Sequence, residues 1–325
     1  MEYTTLGSTG IEVSRIALGC MSFGTPDWRE WVLDEDDSRE IIERAVDLGI
    51  NFFDTANMYS EGESERVLGN VLGEYDRDSQ VIATKGYFQM DEDNPNSGGA
   101  SRKAIEQELA NSLDRLGMET VDLYQTHRWD YDTPIEQTLR ALDAAVRRGQ
   151  VRHIGTSSMW AYQFAEALHT SDRLGLERFE TMQNHYNLLY REEEREMLPL
   201  CEREGVGVIP WSPLARGYLT RPREEFDATT RGETDDHARD HPYFENGGRE
   251  INERVQELAE EKGVTMAQIA LSWLLHQDVV DAPIVGTTSV EHLEDAVEAL
   301  EIDLTESEQE YLEEPYGPVP VSGHE

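Results

Sequence analysis

Four side chains that can donate, accept or stabilise a proton stand at or just after the ends of short apolar runs. Asp54 ends one such run, with Tyr59 five residues further on, Lys85 ends the next, and His127 ends the one after that. A short apolar run bounded by turn residues is typical of a buried strand. When such strands lie parallel in one sheet, the residues at their carboxyl ends meet at the same edge.

Proton transfer to a carbonyl oxygen is the chemistry that these four residue types predict together. Tyrosine is a poor acid at neutral pH, because its ordinary pKa is about 10. A neighbouring ammonium lowers that pKa, so we expect Lys85, held in place by Asp54, to bring the pKa of Tyr59 toward neutrality. His127 can donate a hydrogen bond to the same oxygen while the carbon receives hydride. The simpler interpretation is that Asp54 and Lys85 form only a structural ion pair.

Lysine is rare in this chain, because it supplies only three of the 28 basic residues. Its presence at position 85 indicates a role that arginine does not fill, since the pKa of lysine can be tuned by its surroundings. A second chemistry is open to such a residue, in which Lys85 attacks a carbonyl carbon to form a Schiff base. That lyase alternative requires no nicotinamide, so the other strand ends distinguish the two hypotheses.

The later strand ends carry groups that suit a nicotinamide dinucleotide. Hydroxyl and amide side chains can hold its carboxamide, a tryptophan can stack on its ring, and free backbone N–H groups can bind its phosphates. The residues concerned are Ser157, Ser158, Gln183, Trp211, the run 212–217, Gly286 and Thr288. Each motif is weak alone, and the run at Gly286 is also explained as an ordinary turn before a helix. Their order along the chain favours the cofactor interpretation.

A repeated unit must position these residues: an amphipathic helix, a glycine-containing turn and a short apolar strand. The predicted strands lie near residues 16, 51, 82, 122, 153, 181, 207 and 284. Strands that alternate with helices predict an α/β protein with a parallel sheet, and eight units predict one (β/α)8 TIM-barrel domain over residues 1–325. The alternative is an open sheet of two Rossmann halves, but the run 19–24 lacks the glycine spacing of a dinucleotide-binding turn.

Two segments fall outside the repeat. Residues 1–14 predict a β-hairpin that caps the bottom of the barrel. Residues 221–249 are polar and follow the seventh predicted strand, and a long loop at this position lies over the face where barrel active sites are found. We expect it to be a substrate lid, with an acidic insertion of no catalytic role as the alternative.

The composition disfavours several kinds of partner. With 28 basic and 67 acidic residues, the formal net charge is −39, which makes nucleic acid and anionic membranes poor ligands. Acid excess with little lysine is typical of haloarchaeal proteins from a salt-saturated cytoplasm, and an acidic mesophilic protein is the alternative. The two cysteines give neither a disulfide framework nor a metal-ligand spacing, so we expect a reducing cytoplasm. We expect neither a signal peptide nor a transmembrane span.

Over essentially its whole length, the chain resembles the aldo-keto reductase superfamily. The resemblance is carried by the run 51–59, Lys85, His127, the run 155–158, Gln183 with Asn184, and the run 209–214. Within the superfamily, the run 182–197 is similar to a bacterial and fungal branch described as aryl-alcohol dehydrogenase-like or versiconal-reductase-like. That branch is also similar to the beta subunits of potassium channels.

The resemblance implies carbonyl reduction with NADPH on a (β/α)8 barrel without a metal. It implies that Tyr59 is the general acid and base, that Lys85 with Asp54 lowers its pKa, and that His127 orients the carbonyl. The implied cofactor contacts are Ser157, Ser158 and Gln183 at the carboxamide, Trp211 at the nicotinamide ring, Ser212, Leu214 and Gly217 at the pyrophosphate, and Gly286, Thr288 and His292 near the adenosine phosphate.

Two positions depart from the family pattern. Ser158 stands where many members have asparagine. Members that prefer NADPH often carry lysine or arginine in the stretch aligned with 286–292, whereas this chain has no fixed cation there and has Glu291 and Glu294 nearby. Arg216 is a candidate to compensate. We therefore expect NADPH as the preferred donor, with NADH as the alternative.

The resemblance implies a small carbonyl compound as the substrate. Aromatic residues begin the loops after the first, third, fourth and fifth strands, and they suit an aryl or apolar aldehyde, although each is also explained by ordinary packing. They are Trp28, Phe88, Trp129 and Trp160. Sugars remain open as substrates. A nucleotide-binding regulatory subunit with little turnover, like the channel beta subunits, is the alternative to a reductase, and the sequence predicts no oligomeric state.

Overall fold

A parallel sheet forms the centre of the computed structural model, which describes residues 1–235 and 241–324. Strands β1 (Tyr3–Thr5) and β2 (Glu12–Ser14) first pair antiparallel as a hairpin. The parallel strands are β3 (Ala17–Gly19), β4 (Phe52–Asp54), β5 (Val81–Gly86), β6 (Val121–Thr126), β7 (Val151–Ser157), β8 (Phe179–Gln183), β9 (Gly207–Val208) and β10 (Ile284–Gly286). They lie side by side in the order β10-β3-β4-β5-β6-β7-β8-β9.

The sheet closes on itself between β9 and the segment that leads into β10. The Asp281 N–H donates to the carbonyl of Val208 at 2.9 Å, and the Ile284 N–H donates to the carbonyl of Pro210 at 2.9 Å. Closure leaves no open edge and defines a barrel. The predicted (β/α)8 TIM barrel is therefore confirmed, and the open Rossmann sheet is excluded.

Helices connect successive strands and cover the outside of the barrel. They are α1 (Glu35–Asp47), α2 (Glu63–Leu72), α3 (Arg102–Leu116), α4 (Ile135–Arg147), α5 (Ala161–Leu174), α6 (Met197–Glu204), α7 (Thr230–Thr234), α8 (Gly248–Lys262), α9 (Met266–Leu275), α10 (Val290–Glu298) and α11 (Glu306–Glu313). Helix α3 shows how the sequence sets the two ends of such a helix. The Ser101 side chain caps its first turn, and Gly117 ends it with a left-handed φ of 65°.

Alternating side chains along the strands build two apolar layers. Phe52 and Ala83 point into the barrel, whereas their neighbours Phe53 and Ile82 pack in the core cluster beneath the helices, as a period of two requires. Leu6 of the hairpin joins the interior cluster, and the Gly7 N–H donates to the Asp281 carboxylate at 2.7 Å. The hairpin therefore caps the bottom of the barrel as predicted, and the opposite end holds the strand-end residues.

The segment 221–249 was predicted to be a lid, and its residues 236–240 lie outside the described part of the chain. In the remainder, the Arg231 guanidinium lies 4.4 Å from the centroid of a Trp31 ring and donates to Asp235 at 3.1 Å. The Tyr243 hydroxyl lies 2.7 Å from His185 Nε2, just past strand β8. The described parts of the segment thus pack against loops at the upper end of the barrel, and closure over a substrate stays a prediction.

Candidate active site

The predicted acid–base residues meet at the carboxyl ends of three neighbouring strands. Asp54 is the last residue of β4, Lys85 the fifth of β5, and His127 the first after β6. Tyr59 starts the short 3₁₀ helix Tyr59–Gly62. Parallel pairing sets Asp54 opposite Ala83 and Lys85 opposite Gln125, so the side chains project from one end of the barrel.

Lys85 is fully enclosed, and its ammonium is fixed by three hydrogen bonds. It donates to Asp54 Oδ1 at 3.0 Å, to Asp54 Oδ2, and to the carbonyl of Thr55 at 2.7 Å. These acceptors, together with a hydrogen bond between Lys85 and Tyr59, hold the ammonium in place. Burial alone lowers the pKa of Lys85, but Asp54 and Tyr59 more than offset burial and raise it. Schiff-base chemistry requires a free neutral amine, and this geometry does not fit it.

Two glutamine side chains extend this network toward the predicted cofactor site. Gln183 Nε2 donates to Asp54 Oδ1 at 2.7 Å, and Gln125 Nε2 lies 3.4 Å from the same oxygen. Gln125 was not among the residues predicted from the sequence, although its place two residues before His127 was a usable signal. Asp54 therefore ties the ammonium to the residue that we predicted at the nicotinamide carboxamide.

Tyr59 lies over the Lys85 charge and keeps part of its surface exposed. The Lys85 Nζ is 5.0 Å from the centroid of the Tyr59 ring. Burial raises the pKa of the Tyr59 phenol above its ordinary value, and Lys85 lowers it by less. The expected fall toward neutrality is therefore corrected: Lys85 acts in the predicted direction, but the loss of water around the phenol outweighs it. The phenol is held in its protonated, acidic form.

His127 faces Tyr59 edge to face, with ring centroids 5.9 Å apart. Burial, then the charges of Lys85 and Arg128, lower the pKa of His127 well below its ordinary value. Its Nδ1 is buried without a hydrogen-bond partner among the described residues. The sequence left the charge of His127 open, and the structure assigns a neutral imidazole that can still donate one hydrogen bond.

The side chains predicted at the nicotinamide lie together at the ends of β7, β8 and β9. The Ser157 hydroxyl donates to the carbonyl of Gln183 at 2.7 Å, and Trp211 Nε1 donates to the Ser158 hydroxyl at 3.0 Å. Ser158 adopts a left-handed φ of 39°, which costs energy for a residue other than glycine and is common at functional sites. These hydrogen bonds join Ser157 to Gln183 and Ser158 to Trp211.

Trp211 is held in a stack of rings that the sequence analysis did not foresee. His185 lies flat on it with centroids 4.1 Å apart, and Tyr190 lies on His185 at 4.0 Å. The C-terminal tail also reaches this point: the Ser322 hydroxyl is 3.3 Å from His185 Nδ1, and a Cβ built on Gly323 would lie 3.4 Å from a Trp211 ring carbon. The orientation of Trp211 is thus fixed by residues far away in sequence.

The loop after β9 has the strained backbone of a ligand-binding turn. Ser212 and Arg216 adopt left-handed φ values of 52° and 56°, and Gly217 ends the 3₁₀ helix Ala215–Gly217 with Leu214 just before it. Arg216 Nε is buried and has no hydrogen-bond partner among the described residues, and the same holds for both polar atoms of the Asn184 side chain. Buried donors without partners are costly, so this end of the barrel fits a polar ligand such as a dinucleotide.

The residues predicted at the adenosine phosphate lie at the start of α10. Gly286, Thr288 and His292 are exposed, while Ser289 caps the helix by accepting from the His292 N–H at 3.2 Å. Glu294 forms an ion pair with Arg44 at 2.7 Å. Arg44 of helix α1 therefore neutralises one of the two acids that the sequence places near this phosphate.

The four predicted pocket aromatics have different surroundings. The Phe88 ring lies edge to face with His127 at 4.9 Å, so it belongs to the site. Trp129 packs against the main core, and Trp160 is 40% exposed and contacts the His324 ring at 4.8 Å. Trp28 lies under the Arg29 guanidinium at 4.5 Å. The structure thus brings Phe88 directly to the acid–base residues.

The upper end of this (β/α)8 barrel holds a buried lysine–aspartate pair, a tyrosine and a neutral histidine. This arrangement suits the oxidation and reduction of carbonyl and alcohol groups. Residues 15–316 match the profile of the Aldo/keto reductase family. The chain belongs to that family. It is an oxidoreductase that acts on CH–OH and C=O groups with a nicotinamide cofactor.

Several fungal proteins are similar over nearly their whole length. A "putative aryl-alcohol dehydrogenase" of Schizosaccharomyces pombe is 44% identical, covering 99% of this chain and 97% of its own. The versiconal hemiacetal acetate reductase of Aspergillus parasiticus is 42% identical over 98% of both chains, and an aldo-keto reductase of Metarhizium robertsii is 41% identical over 100% of this chain and 93% of its own. These relatives give no support to a haloarchaeal source, and salt dependence stays a prediction.

Proposed function

We propose that the protein reduces an aryl or apolar aldehyde or ketone, with NADPH as the preferred donor and Tyr59 as the proton source. The observation that carries this proposal is the arrangement of Lys85, whose ammonium is buried and hydrogen-bonded to Asp54 and to the Thr55 carbonyl, beneath a protonated, partly exposed Tyr59. Such a lysine cannot act as a nucleophile. Its fixed charge instead stabilises the phenolate that remains after Tyr59 gives up its proton.

The proton transfer follows from the charge states of the residues. Neutral His127 donates a hydrogen bond to the carbonyl oxygen and orients it beside the Tyr59 hydroxyl. When bound, the nicotinamide supplies hydride to the carbonyl carbon. Tyr59 gives its proton to the developing alkoxide, and Lys85, locked by Asp54, holds the negative charge left on the phenol. In the reverse reaction the Tyr59 phenolate takes the proton of the alcohol.

The proposed cofactor contacts follow the strand ends around the barrel. Small polar groups would hold the carboxamide, Trp211 would stack on the ring, and the strained loop with Arg216 would bind the pyrophosphate. The residues proposed for these contacts are Ser157, Ser158, Gln183, Ser212, Leu214 and Gly217, with Gly286, Thr288 and His292 near the adenosine phosphate. The unpartnered Arg216 Nε and the neutralised Glu294 support a dinucleotide that carries an extra phosphate.

We also propose a location for the protein in the cytoplasm. Among residues 1–235 and 241–324, no helix is long and apolar enough to cross a membrane. Cys20 and Cys201 are buried free thiols, and burial raises the pKa of both. Disulfides are usual in oxidising compartments, so these thiols support a cytoplasmic location for an enzyme with a small-molecule substrate.

Cofactor oxidation at 340 nm tests the proposal most directly. The purified protein is offered NADPH or NADH with a panel of aryl aldehydes, aliphatic aldehydes and sugars in molar KCl. We expect turnover of aryl aldehydes with a lower KM for NADPH than for NADH. Tight cofactor binding, seen as quenched tryptophan fluorescence, together with negligible turnover of the whole panel would instead favour a regulatory nucleotide-binding role.

A further inference from the structure

Arg128 places a positive charge beside the residues that would hold and protonate the substrate carbonyl. It follows His127 directly, and its Nη1 donates to the His127 carbonyl at 2.6 Å. Its guanidinium lies 5.7 Å from the centroid of the Phe88 ring, and the His127 ring lies 4.9 Å from the same ring. The side chain is only partly exposed. Arg128 and the carbonyl-orienting His127 therefore share one aromatic surface.

This guanidinium has no acidic partner within the described chain. Among the side chains that the structure describes in residues 1–226, 228–235 and 241–324, no carboxylate forms an ion pair with Arg128, although acidic residues outnumber basic ones in the chain by 67 to 28. Other arginines at the mouth are paired: Arg29 and Arg231 share Asp235, at 3.7 and 3.1 Å. Burial lowers the pKa of Arg128 and outweighs the opposing effects of Tyr59 and Tyr87, and Arg216 adds a smaller effect in the same direction as burial. A partly buried charge without a counter-charge is costly, which indicates that a ligand supplies the anion.

Arg128 and the proposed phosphate contacts come from different strand ends of the barrel. Arg216 lies on the loop after β9, whereas Arg128 follows β6, beside the groups that would hold and protonate the carbonyl. Guanidinium presents a planar fork that matches the two oxygens of a carboxylate. Phe88 contacts both the Arg128 guanidinium and the His127 ring, so a flat ring packed on Phe88 would lie next to both residues.

We propose that the preferred substrate is an aldehyde or ketone that also carries a carboxylate, which Arg128 binds while His127 and Tyr59 act on the carbonyl. Phe88 packs against the body that joins the two groups. Arg128 is thus a specificity-determining residue, and its role rests on the proposed carbonyl reduction. The carboxylate takes no part in the reaction and is unchanged in the product.

A pair of aldehydes of nearly equal shape tests this inference. The specificity ratio is kcat/KM for 4-formylbenzoate divided by kcat/KM for 4-formylbenzamide, measured with saturating NADPH. We expect a ratio of about 10 to 100 in the wild type, as a charged hydrogen-bonded pair provides. Arg128→Met should bring the ratio close to 1, and Arg128→Lys should leave it between these values. Arg29→Met removes an arginine already paired with Asp235 and should keep the wild-type ratio.

A binding measurement separates the inference from the proposed function. Benzoate and benzamide are titrated into the cofactor-loaded enzyme and followed by quenching of tryptophan fluorescence. Preference for benzoate that is lost in Arg128→Met supports the carboxylate site even if no aldehyde is reduced. Aldehyde turnover with equal kcat/KM for both aldehydes overturns the inference and leaves the reductase function intact. A rise in KM for NADPH without a change in the ratio in Arg128→Met also overturns it, because the anion would then belong to the cofactor.

Discussion

The Lys85 ammonium donates to both carboxylate oxygens of Asp54, and the two side chains are 0% and 2% exposed. Removing one member of such a pair leaves the other charge buried without compensation, which costs about 3–5 kcal/mol. Asp54→Asn should therefore lower the free energy of unfolding by a few kcal/mol and also reduce kcat, because Lys85 loses the group that keeps it charged. Urea unfolding and steady-state kinetics measure the two effects.

The matched control for this variant is Asp122→Asn, which removes a buried carboxylate that also pairs with arginine but lies at the start of a strand. It should lower stability while leaving kcat of the folded enzyme close to that of the wild type. Equal kcat values in Asp54→Asn and the wild type would contradict a role for the pair in catalysis.

Tyr59→Phe tests the proton donor. The ring and its position over Lys85 remain, while the hydroxyl that donates the proton is lost. We expect kcat to fall by roughly 10²- to 10⁴-fold, the usual contribution of general acid catalysis, with the Kd for NADPH changed less than about threefold. Turnover at 340 nm and quenching of tryptophan fluorescence measure these quantities. Tyr75→Phe, on a surface away from the site, serves as the control, and wild-type turnover in Tyr59→Phe would refute the assignment.

The pH dependence follows from the two pKa shifts at the site. Reduction requires protonated Tyr59, and burial raises the pKa of that phenol above its ordinary value of about 10. The kcat for reduction should therefore stay level through neutral pH and fall only at strongly alkaline pH. The kcat for alcohol oxidation, which requires the phenolate, should rise over that alkaline range. Because the pKa of His127 lies well below about 6.5, no loss of activity should centre near that pH. A profile for reduction that declines around neutrality would contradict both charge states.

Periodicity and strand-end chemistry in the sequence are enough to predict the barrel, its hairpin and the meeting of Asp54, Tyr59, Lys85 and His127 at one end of the barrel. The Arg44–Glu294 ion pair joins residues 250 positions apart, and the contact of Gly323 with Trp211 depends on the path of the tail. Neither of these contacts leaves a local pattern in the amino-acid sequence. The pKa of Tyr59 was predicted with the wrong sign because the types of neighbouring charges can be read from sequence, whereas the depth of burial cannot. Arg128 was visible beside His127, but its lack of a carboxylate partner requires the three-dimensional surroundings.

Cofactor preference depends on the Arg44–Glu294 pair if the extra phosphate of NADPH binds at the start of α10. Glu294→Gln releases Arg44 from its ion pair and removes a negative charge. We expect the ratio of kcat/KM for NADPH to that for NADH to increase several-fold, mainly through a lower KM for NADPH. Glu301→Gln removes an exposed charge beyond the helix and should leave the ratio unchanged. An unchanged ratio in Glu294→Gln would place the phosphate elsewhere, with Arg216 as the next residue to test.

Salt should stabilise this protein because its net charge is −39. Two effects oppose each other: salt weakens exposed ion pairs such as Arg140–Glu136, and it screens repulsion among the unpaired acidic side chains. Exposed pairs contribute only about 0–1 kcal/mol each, while an excess of 39 negative charges repels throughout the surface, with a screening length of about 3 Å at 1 M salt. The repulsion among acidic side chains is therefore the larger effect, and the Tm should rise between 0.1 and 2 M KCl.

Tetramethylammonium chloride at equal ionic strength is the control for this measurement. An equal rise in Tm indicates screening, and a smaller rise indicates specific binding of potassium. A Tm that does not change with KCl would contradict the prediction.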